Sequence, residues 1–350
     1  KEAAAILRAL AGFIGEGLGK SFPDVDDQQK FQYIFKKGVL EKPLVLILDE
    51  FDALVEEGIN SVVSAFRDIY INRIDDRDKP SSQKKYLLHG VALIGVRSVL
   101  GVENQKGSPF NVQRSLHIDN LTFEEVDGMF KWYEKESGQK VEEAAIRALY
   151  DETRGQPGLT CWLAELITET YNHDLKKPIT MFNFEEAYAA ATHILPNNNI
   201  MNIISKVNTP PYDQWVIERF ETGDKTQFNL DDKIISYLYM NGVIAEEKVG
   251  HKEYYVKFSC PFVQKRLFNY FSNEYFNDLG VLVEPFFKLG NIITPTYLDI
   301  IGILKIYQRY LDRNKSWLFK RAPRRNDQRV YEAVFHFNLY SYLHEFLRSK

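Results

Sequence analysis

Two short apolar runs, separated by an amphipathic stretch, stand out in the first third of the chain. Residues 44–48 (LVLIL) are continuously apolar and lead directly into Asp49 and Glu50, and residues 86–96 form a second apolar run. An apolar run without polar alternation is typical of a strand buried on both faces of a parallel sheet. Residues 59–73, between the runs, have the spacing of an amphipathic helix. Strand, helix and strand in this order predict a parallel sheet.

The rest of the chain has helical spacing almost throughout. Thr122 and Glu125 form a capping-box pattern, which predicts the start of a helix. Residues 231–271 predict helix, strand, turn, strand and helix, the order in which a winged helix ends. We therefore expect an α/β fold that consists of a partial parallel sheet core, a helical lid, a winged helix and a helical C-terminal segment. The expected domain bounds are 1–119, 120–200, 201–275 and 276–350.

Composition narrows the class of protein without naming a function. The chain has 350 residues and a net charge of −4, so any binding to nucleic acid or to an anionic membrane must come from a local patch. No apolar run approaches the ~20 residues of a membrane-spanning helix. Cys161 and Cys260 are the two cysteines, too few for a disulfide framework in a chain of this size. We expect two reduced thiols in a cytoplasmic protein.

The glycine-rich segment 12–24 (GFIGEGLGKSFPD) ends its glycine-rich half in Gly-Lys-Ser, as a phosphate-binding P-loop does. The P-loop pattern needs a second glycine five positions before Gly19, where this chain has Ile14. A predicted helix precedes the segment instead of a strand. We therefore expect Gly19 to end that helix as a left-handed C-cap.

The apolar run that ends in Asp49 and Glu50 has the Walker B pattern. The carboxyl edge of a parallel sheet is where ligands bind, and this strand would carry both acids there. Asp49 would hold Mg²⁺, usually through water, and Glu50 would act as the general base that activates the attacking water. The alternative is a strand that ends in solvated acids.

Two further segments are candidates for nucleotide contacts. Arg97 and Ser98 follow the second predicted strand, at the edge that carries the Walker B acids, and could sense the γ-phosphate. The alternative for Arg97 is an exposed side chain at a strand end. Gly155 and Pro157 fix a turn between two predicted helices, which could direct a helix start at the nucleotide or could be a plain turn.

Residues 313–329 contain seven Lys or Arg side chains against Asp327 alone. With Lys257, Lys265 and Arg266 of the predicted winged helix, this basic segment could contact DNA phosphates. The alternative is a solvated face.

Four segments in this order resemble one family. LVLILDEFDAL, LLHGVALIGVRSVLGVENQKGSPFN, LTFEEV and TRGQPGLT are similar to segments of bacterial AAA-like P-loop ATPases related to the ORC and STAND classes. The resemblance implies ATP and Mg²⁺ as cofactors, bound between core and lid. It makes Asp49 and Glu50 the Walker B acids and Arg97 and Ser98 the sensor 1 region. It makes Gly155 and Pro157 the lid motif, with Arg154 as a sensor 2-like residue.

The resemblance also implies parts that this sequence does not contain. The family has its Walker A motif ahead of the first helix, so we expect that motif upstream of Lys1. Many relatives end in a PD-(D/E)XK nuclease-like domain, and residues 329–350 resemble the helix that opens one, with Glu332 as its acid. The expected function is an ATP-hydrolysing switch that could form homo-oligomers. The alternatives are a DNA-binding winged-helix module and a degenerate ATPase that acts as an interaction scaffold.

Overall fold

The fold is a mixed α/β arrangement, mostly helical, and its described residues include a small parallel sheet. The computed structural model describes residues 2–80, 83–95, 118–220, 226–276, 293–294 and 297–348. It divides into two compact units, Lys1–Ile118 and Asp119–Lys350. Among the described residues of the first unit, the α-helices and strands are α1 (Glu2–Leu18), α2 (Gln28–Tyr33), β1 (Leu44–Leu48), α3 (Glu56–Asp75) and β2 (Leu88–Leu93). The α-helices described in the second unit are α4 (Phe123–Ser137), α5 (Glu143–Thr153), α6 (Pro157–Glu165), α7 (Met181–His193), α8 (Asn198–Val207), α9 (Tyr212–Glu218), α10 (Lys233–Met240), α11 (Pro261–Phe276), α12 (Ile300–Leu318) and α13 (Glu332–Arg348). Its strands are β3 (Ile244–Val249), β4 (Glu253–Phe258), β5 (Ile293–Thr294) and β6 (Tyr297–Leu298).

The sheet of the first unit is parallel, as the sequence predicts. β1 and β2 pair in register from Val45 opposite Gly90 to Leu48 opposite Leu93. The helix α3 connects them, so strand, helix and strand occur in the expected order. The carboxyl ends of both strands therefore lie at one edge of the sheet.

The prediction that the first strand is buried on both faces is wrong. Leu44, Leu46 and Leu48 pack against the core of this unit, whereas Val45 and Ile47 on the opposite face are 60% and 62% exposed. The reason is that successive strand residues point to opposite faces, and within the described residues the helices of this unit share one core on one face only. Both faces of the strand are therefore apolar, as the run indicates, but only one face is packed against the core.

The second unit begins with the predicted capping box. The Thr122 hydroxyl accepts from the Glu125 amide at 3.2 Å, and the Glu125 carboxylate accepts from the Thr122 amide at 2.8 Å. These bonds satisfy two amides that the first turn of α4 would otherwise leave unpaired. The capping box is therefore confirmed.

The region predicted as helix, strand, strand and helix has those elements. α10 leads into the antiparallel hairpin of β3 and β4, which α11 follows. Gly250, with φ of +68°, lies between the two strands, as a tight hairpin turn requires. An isolated antiparallel bridge from Gln227 to Tyr255 adds a further backbone segment beside β4.

The C-terminal helices belong to the core of the second unit. α13 packs along α11, and its Val334, Phe337 and Tyr342 are buried. Glu332, which the resemblance marks as a helical acid, is exposed at the start of α13. Across the described helices, none is both long and apolar enough to cross a membrane.

Candidate functional site

The edge at which β1 and β2 end carries the two predicted acids. The Ile94 amide donates to the Leu48 carbonyl at 2.8 Å, and the Phe51 amide donates to the Ile94 carbonyl at 2.9 Å. The chain after β2 is therefore tied to the backbone on both sides of Asp49 and Glu50. Two successive carboxylates are held where a parallel sheet of this type presents ligands.

Glu50 has an unusual backbone conformation. Its φ of 52° and ψ of 32° lie in the left-handed region, which costs a residue with a side chain roughly 1–2 kcal/mol. The Asp49 carboxylate accepts from the Glu50 amide at 2.9 Å, and the Ala53 amide donates to the Glu50 carbonyl at 2.9 Å. These two bonds stabilise the strained turn. Strain of this kind is concentrated at functional sites and supports a functional hypothesis for Glu50.

Phe51 anchors the turn in the core. Its ring is 2% exposed, whereas Asp49 and Glu50 beside it are exposed. The apolar residue between acids therefore holds the carboxylates at the surface. Sequence reasoning did not assign a role to Phe51, although an aromatic residue within an acidic turn is the signal that could have identified it.

Both carboxylates retain acceptor capacity. Among the described residues, Asp49 uses only Oδ1 in a hydrogen bond, and the Glu50 carboxylate makes no hydrogen bond or ion pair. The described residues contain no group of three or more His, Cys, Asp or Glu side chains that could hold a metal ion. Mg²⁺ in phosphate sites takes one or two carboxylates and completes its shell with water and phosphate oxygens. The Asp49 carboxylate fits that role and would not form a closed protein cage.

Arg97 and Ser98 lie outside the described residues, so their nucleotide contacts stay predictions. The described part of this segment ends at Gly95. Its last hydrogen bond, from Phe51 to the Ile94 carbonyl, joins it to the acidic turn.

The Gly-Lys-Ser segment is a helix end, as predicted. Gly19 follows α1 with φ of +63°, and the Lys20 amide donates to the Gly15 carbonyl at 2.8 Å. A bond across five residues next to a left-handed glycine is the Schellman pattern. The Lys20 ammonium group donates to the Val39 carbonyl. The lysine of this segment therefore serves the fold of the first unit.

The turn between α5 and α6 needs glycine for a steric reason. Arg154 and Gly155 both have positive φ, 50° and 70°. A Cβ on Gly155 would lie 1.8 Å from the Leu121 carbonyl oxygen, and the Leu121 amide donates to the Gly155 carbonyl at 2.9 Å. Pro157 occupies the first turn of α6, and Arg154 pairs with Asp151 at 3.1 Å. The turn thus joins α5, α6 and the start of α4, and its contact with a nucleotide stays a prediction.

A cavity of about 550 Å³ on the surface of the second unit is unsuited to a triphosphate. It lies between α4 and α6, where Met129, Phe130, Trp132 and Tyr133 form an apolar lining. Its charged lining residue is Glu165, and it has no Lys or Arg. A polyphosphate needs cationic or amide donors. We therefore do not assign the nucleotide to this cavity.

The basic residues of the predicted winged helix already have partners within the chain. Arg266 donates to the carbonyls of Ala191 and Leu195 at the end of α7, and burial lowers its pKa. The Lys265 ammonium group lies 4.6 Å from the centre of the Tyr188 ring. Lys257 lies 4.0 Å from Glu247. Arg266 is therefore a helix cap, and the region predicted as a winged helix offers less free positive charge than the sequence suggests.

No family model matches the chain, and no curated protein matches it. The solved structures to which it is similar include two RuvB mutants from Thermotoga maritima. One is 18% identical with a TM-score of 0.36, and the other is 16% identical with a TM-score of 0.37. A third is described as the Thermotoga maritima RuvB Holliday junction branch migration motor, at 17% identity and a TM-score of 0.35. Each likeness covers 69% of this chain and 78% of the other. These likenesses are too distant to indicate a function for this chain.

Proposed function

We propose that this chain is a nucleotide-binding module of an ATP-hydrolysing switch, with its reactive acids in the turn after β1. The observation that carries the proposal is the strained, anchored Asp49-Glu50 turn at the carboxyl edge of β1 and β2. A solvated strand end has no need of a left-handed glutamate. The sequence resemblance to AAA-like ATPases supports the same assignment.

The two acids have different roles in this proposal. Asp49, whose Oδ1 binds the Glu50 amide, would hold Mg²⁺ through its other oxygen or through a water. Mg²⁺, when bound, neutralises charge on the phosphate oxygens. Glu50 would accept a proton from the attacking water, and its carboxylate is exposed for that purpose.

The remaining predicted contacts complete the proposal. Arg97 would pair with the γ-phosphate because a guanidinium group matches phosphate geometry, and Ser98 would assist it. Arg154, Gly155 and Pro157 would contribute the lid contacts that the resemblance implies. A degenerate ATPase that acts as a scaffold is the alternative, in which the acidic turn would bind no nucleotide.

The Asp49→Asn substitution tests the metal role. We expect it to weaken Mg²⁺-dependent binding of a non-hydrolysable ATP analogue by about 10-fold or more, since a carboxylate that holds the ion directly or through a water is lost, and the loss of a group around a metal's ligands alone costs about 10- to 100-fold. Calorimetric titration of the analogue into the protein measures the effect, once with Mg²⁺ present and once with a chelator in its place. It is run on this chain and on an extended chain that includes the Walker A motif that the resemblance implies upstream of Lys1.

Glu41→Gln is the matched control. Glu41 is an exposed acid at the opposite end of β1, so the substitution removes the same charge far from the proposed site. We expect the control to bind like the unmodified protein. Equal affinities for Asp49→Asn and the control in the extended chain would reject the assignment of Asp49.

A further inference from the structure

The exposed face of α12 carries a row of cationic side chains. Lys305, Arg309 and Arg313 are spaced four residues apart, followed by Trp317 at the same interval, and all four are exposed. Residues four apart lie on one face of a helix, about 6 Å apart along its axis. The opposite face, with Ile303, Tyr307, Tyr310 and Leu318, is buried in the core. The row is thus fixed on the surface by the packing of the other face.

The positive charge continues beyond the helix. Lys320 and Arg321 are exposed just after α12. A tight turn follows, in which Arg324 and Val330 form an antiparallel bridge and the Arg325 amide donates to the Arg329 carbonyl at 2.8 Å. We call this surface the basic strip. It consists of Lys305, Arg309, Arg313, Trp317, Lys320, Arg321, Arg324, Arg325 and Arg329.

The charge of the strip contrasts with that of the molecule. Residues 305–329 contain nine Lys or Arg and two Asp, in a chain whose net charge is −4. Asp312 lies 3.8 Å from Lys315, which is outside the strip, whereas Asp327 lies 3.6 Å from Arg329 and offsets part of the strip's charge. Such a local concentration of cations attracts a polyanion against the overall charge of the protein.

Trp317 gives the strip a second kind of contact. Its side chain is 45% exposed, and its indole nitrogen donates to Asn314 at 3.1 Å. This bond uses the polar edge of the ring and fixes its orientation. An exposed indole at the end of a cationic row is a surface on which an unpaired base can stack.

We propose that the basic strip binds single-stranded nucleic acid, with Lys305, Arg309 and Arg313 at successive phosphates and Trp317 against a base. The proposal differs from the winged-helix alternative in the place of the contacts, which lie on α12 and the turn after it, whereas Arg266 is half-buried against carbonyl groups of the chain. Within the strip, Arg309 donates to the Lys305 carbonyl and Arg324 to the Gln328 carbonyl, and both side chains stay exposed. The strip also begins earlier, at Lys305, than the segment that the sequence alone marked as basic. The proposal is independent of nucleotide binding in the first unit.

The test uses a fluorescent oligothymidylate of about 20 nucleotides and measures its binding by fluorescence anisotropy over a series of salt concentrations. For the unmodified chain, affinity should fall steeply with salt. The double variant Lys305→Gln/Arg309→Gln should bind about ten-fold more weakly, and its salt slope should be smaller by about 1.4, the value for two lost contacts to a single strand. Trp317→Ala should lower affinity about five-fold or more with little change of slope, whereas Trp317→Phe should retain most binding.

The double variant Lys135→Gln/Lys233→Gln is the matched control. Both lysines are exposed in the same unit and lie outside the strip, so net charge changes equally in the two double variants. We expect the control to bind like the unmodified chain. Equal losses in both double variants, or no binding even at about 20 mM salt, would overturn the proposal.

Two competing polyanions are included in the same experiment. Tighter binding to duplex DNA, with no effect of Trp317→Ala, would refute a single-stranded ligand. Because Ile300 and Ile301 are exposed at the start of α12, vesicles that contain an anionic lipid are also tested. Vesicle binding that exceeds oligonucleotide binding and depends on Lys305 and Arg309 would likewise refute it.

Discussion

Replacing Glu50 with glutamine is expected to slow ATP hydrolysis by about 10²- to 10⁴-fold while Mg²⁺-dependent ATP binding persists. Glutamine has the shape of glutamate and can adopt the same left-handed turn, but its amide cannot accept a proton from water at neutral pH. The change therefore removes proton transfer and keeps the fold of the turn. Phosphate release under single-turnover conditions measures it in the extended chain, and calorimetry measures binding.

The same extended chain carrying Glu41→Gln shows what a lost surface charge does by itself. That control should hydrolyse ATP at the unmodified rate. If Glu50→Gln also hydrolyses at the unmodified rate, Glu50 is not the general base. If Glu50→Gln loses ATP binding together with hydrolysis, then Glu50 contributes to binding of the nucleotide itself. In that case the proposed division of roles between Asp49 and Glu50 is wrong.

Replacing Gly155 with alanine is expected to destabilise the second unit by about 3 kcal/mol or more. The new methyl group would lie 1.8 Å from the Leu121 carbonyl oxygen, so backbone must move. Overpacking costs about 1–3 kcal/mol, and the left-handed conformation, with φ of +70°, adds about 1–2 kcal/mol. All four tryptophans lie between residues 132 and 317, within the second unit. Urea unfolding followed by tryptophan fluorescence therefore reports on this unit.

Substitutions of two other glycines separate the steric cost from the conformational cost. Gly138 has φ of +76° and nothing within 4 Å of the point that a Cβ would occupy, so Gly138→Ala should cost only the conformational part, about 1–2 kcal/mol. Gly128 is inside α4 with open space around it, and Gly128→Ala should stabilise by up to about 1 kcal/mol. If Gly155→Ala were no worse than Gly138→Ala, the contact with Leu121 would not be what selects glycine.

The parts of the fold that could be predicted from the sequence are those that depend on residues close together in the chain. The end of α1 at Gly19 and the capping box of Thr122 and Glu125 each depend on residues a few positions apart. The parallel pairing of β1 and β2 also followed, because strand, helix and strand leave few topologies. These features are determined by neighbours in the chain, which the sequence shows directly.

Features that depend on distant partners could not be predicted. The exposure of Val45 and Ile47 depends on which elements cover the second face of the sheet. Arg266 was interpreted as a phosphate contact, but its partners are carbonyl groups more than 70 residues earlier in the chain. The requirement for glycine at position 155 comes from Leu121, from which it is separated in the chain by α4 and α5. Sequence patterns predict the element in each case, but not the contact.

The candidate sites show the same division. Asp49 and Glu50 were identified from the strand that precedes them, whereas the left-handed turn and the Phe51 anchor became visible only in the structure. Lys305 and Arg309 were not included in the predicted basic segment because they lie before residues 313–329, where the positive charges are dense along the sequence. Their four-residue spacing within a segment predicted to be helical nevertheless places them on one helix face with Arg313. Counting charge by helix face would have found them.

The most direct measurement is the position of the metal in crystals of the extended chain grown with Mn²⁺ and a non-hydrolysable ATP analogue. Anomalous scattering should place the ion beside the turn after β1, either bound directly to an Asp49 oxygen at about 2 Å or separated from it by one water. The γ-phosphate should then lie near Glu50. A metal and nucleotide bound at another place, with Asp49 and Glu50 facing only solvent, would contradict the proposed function.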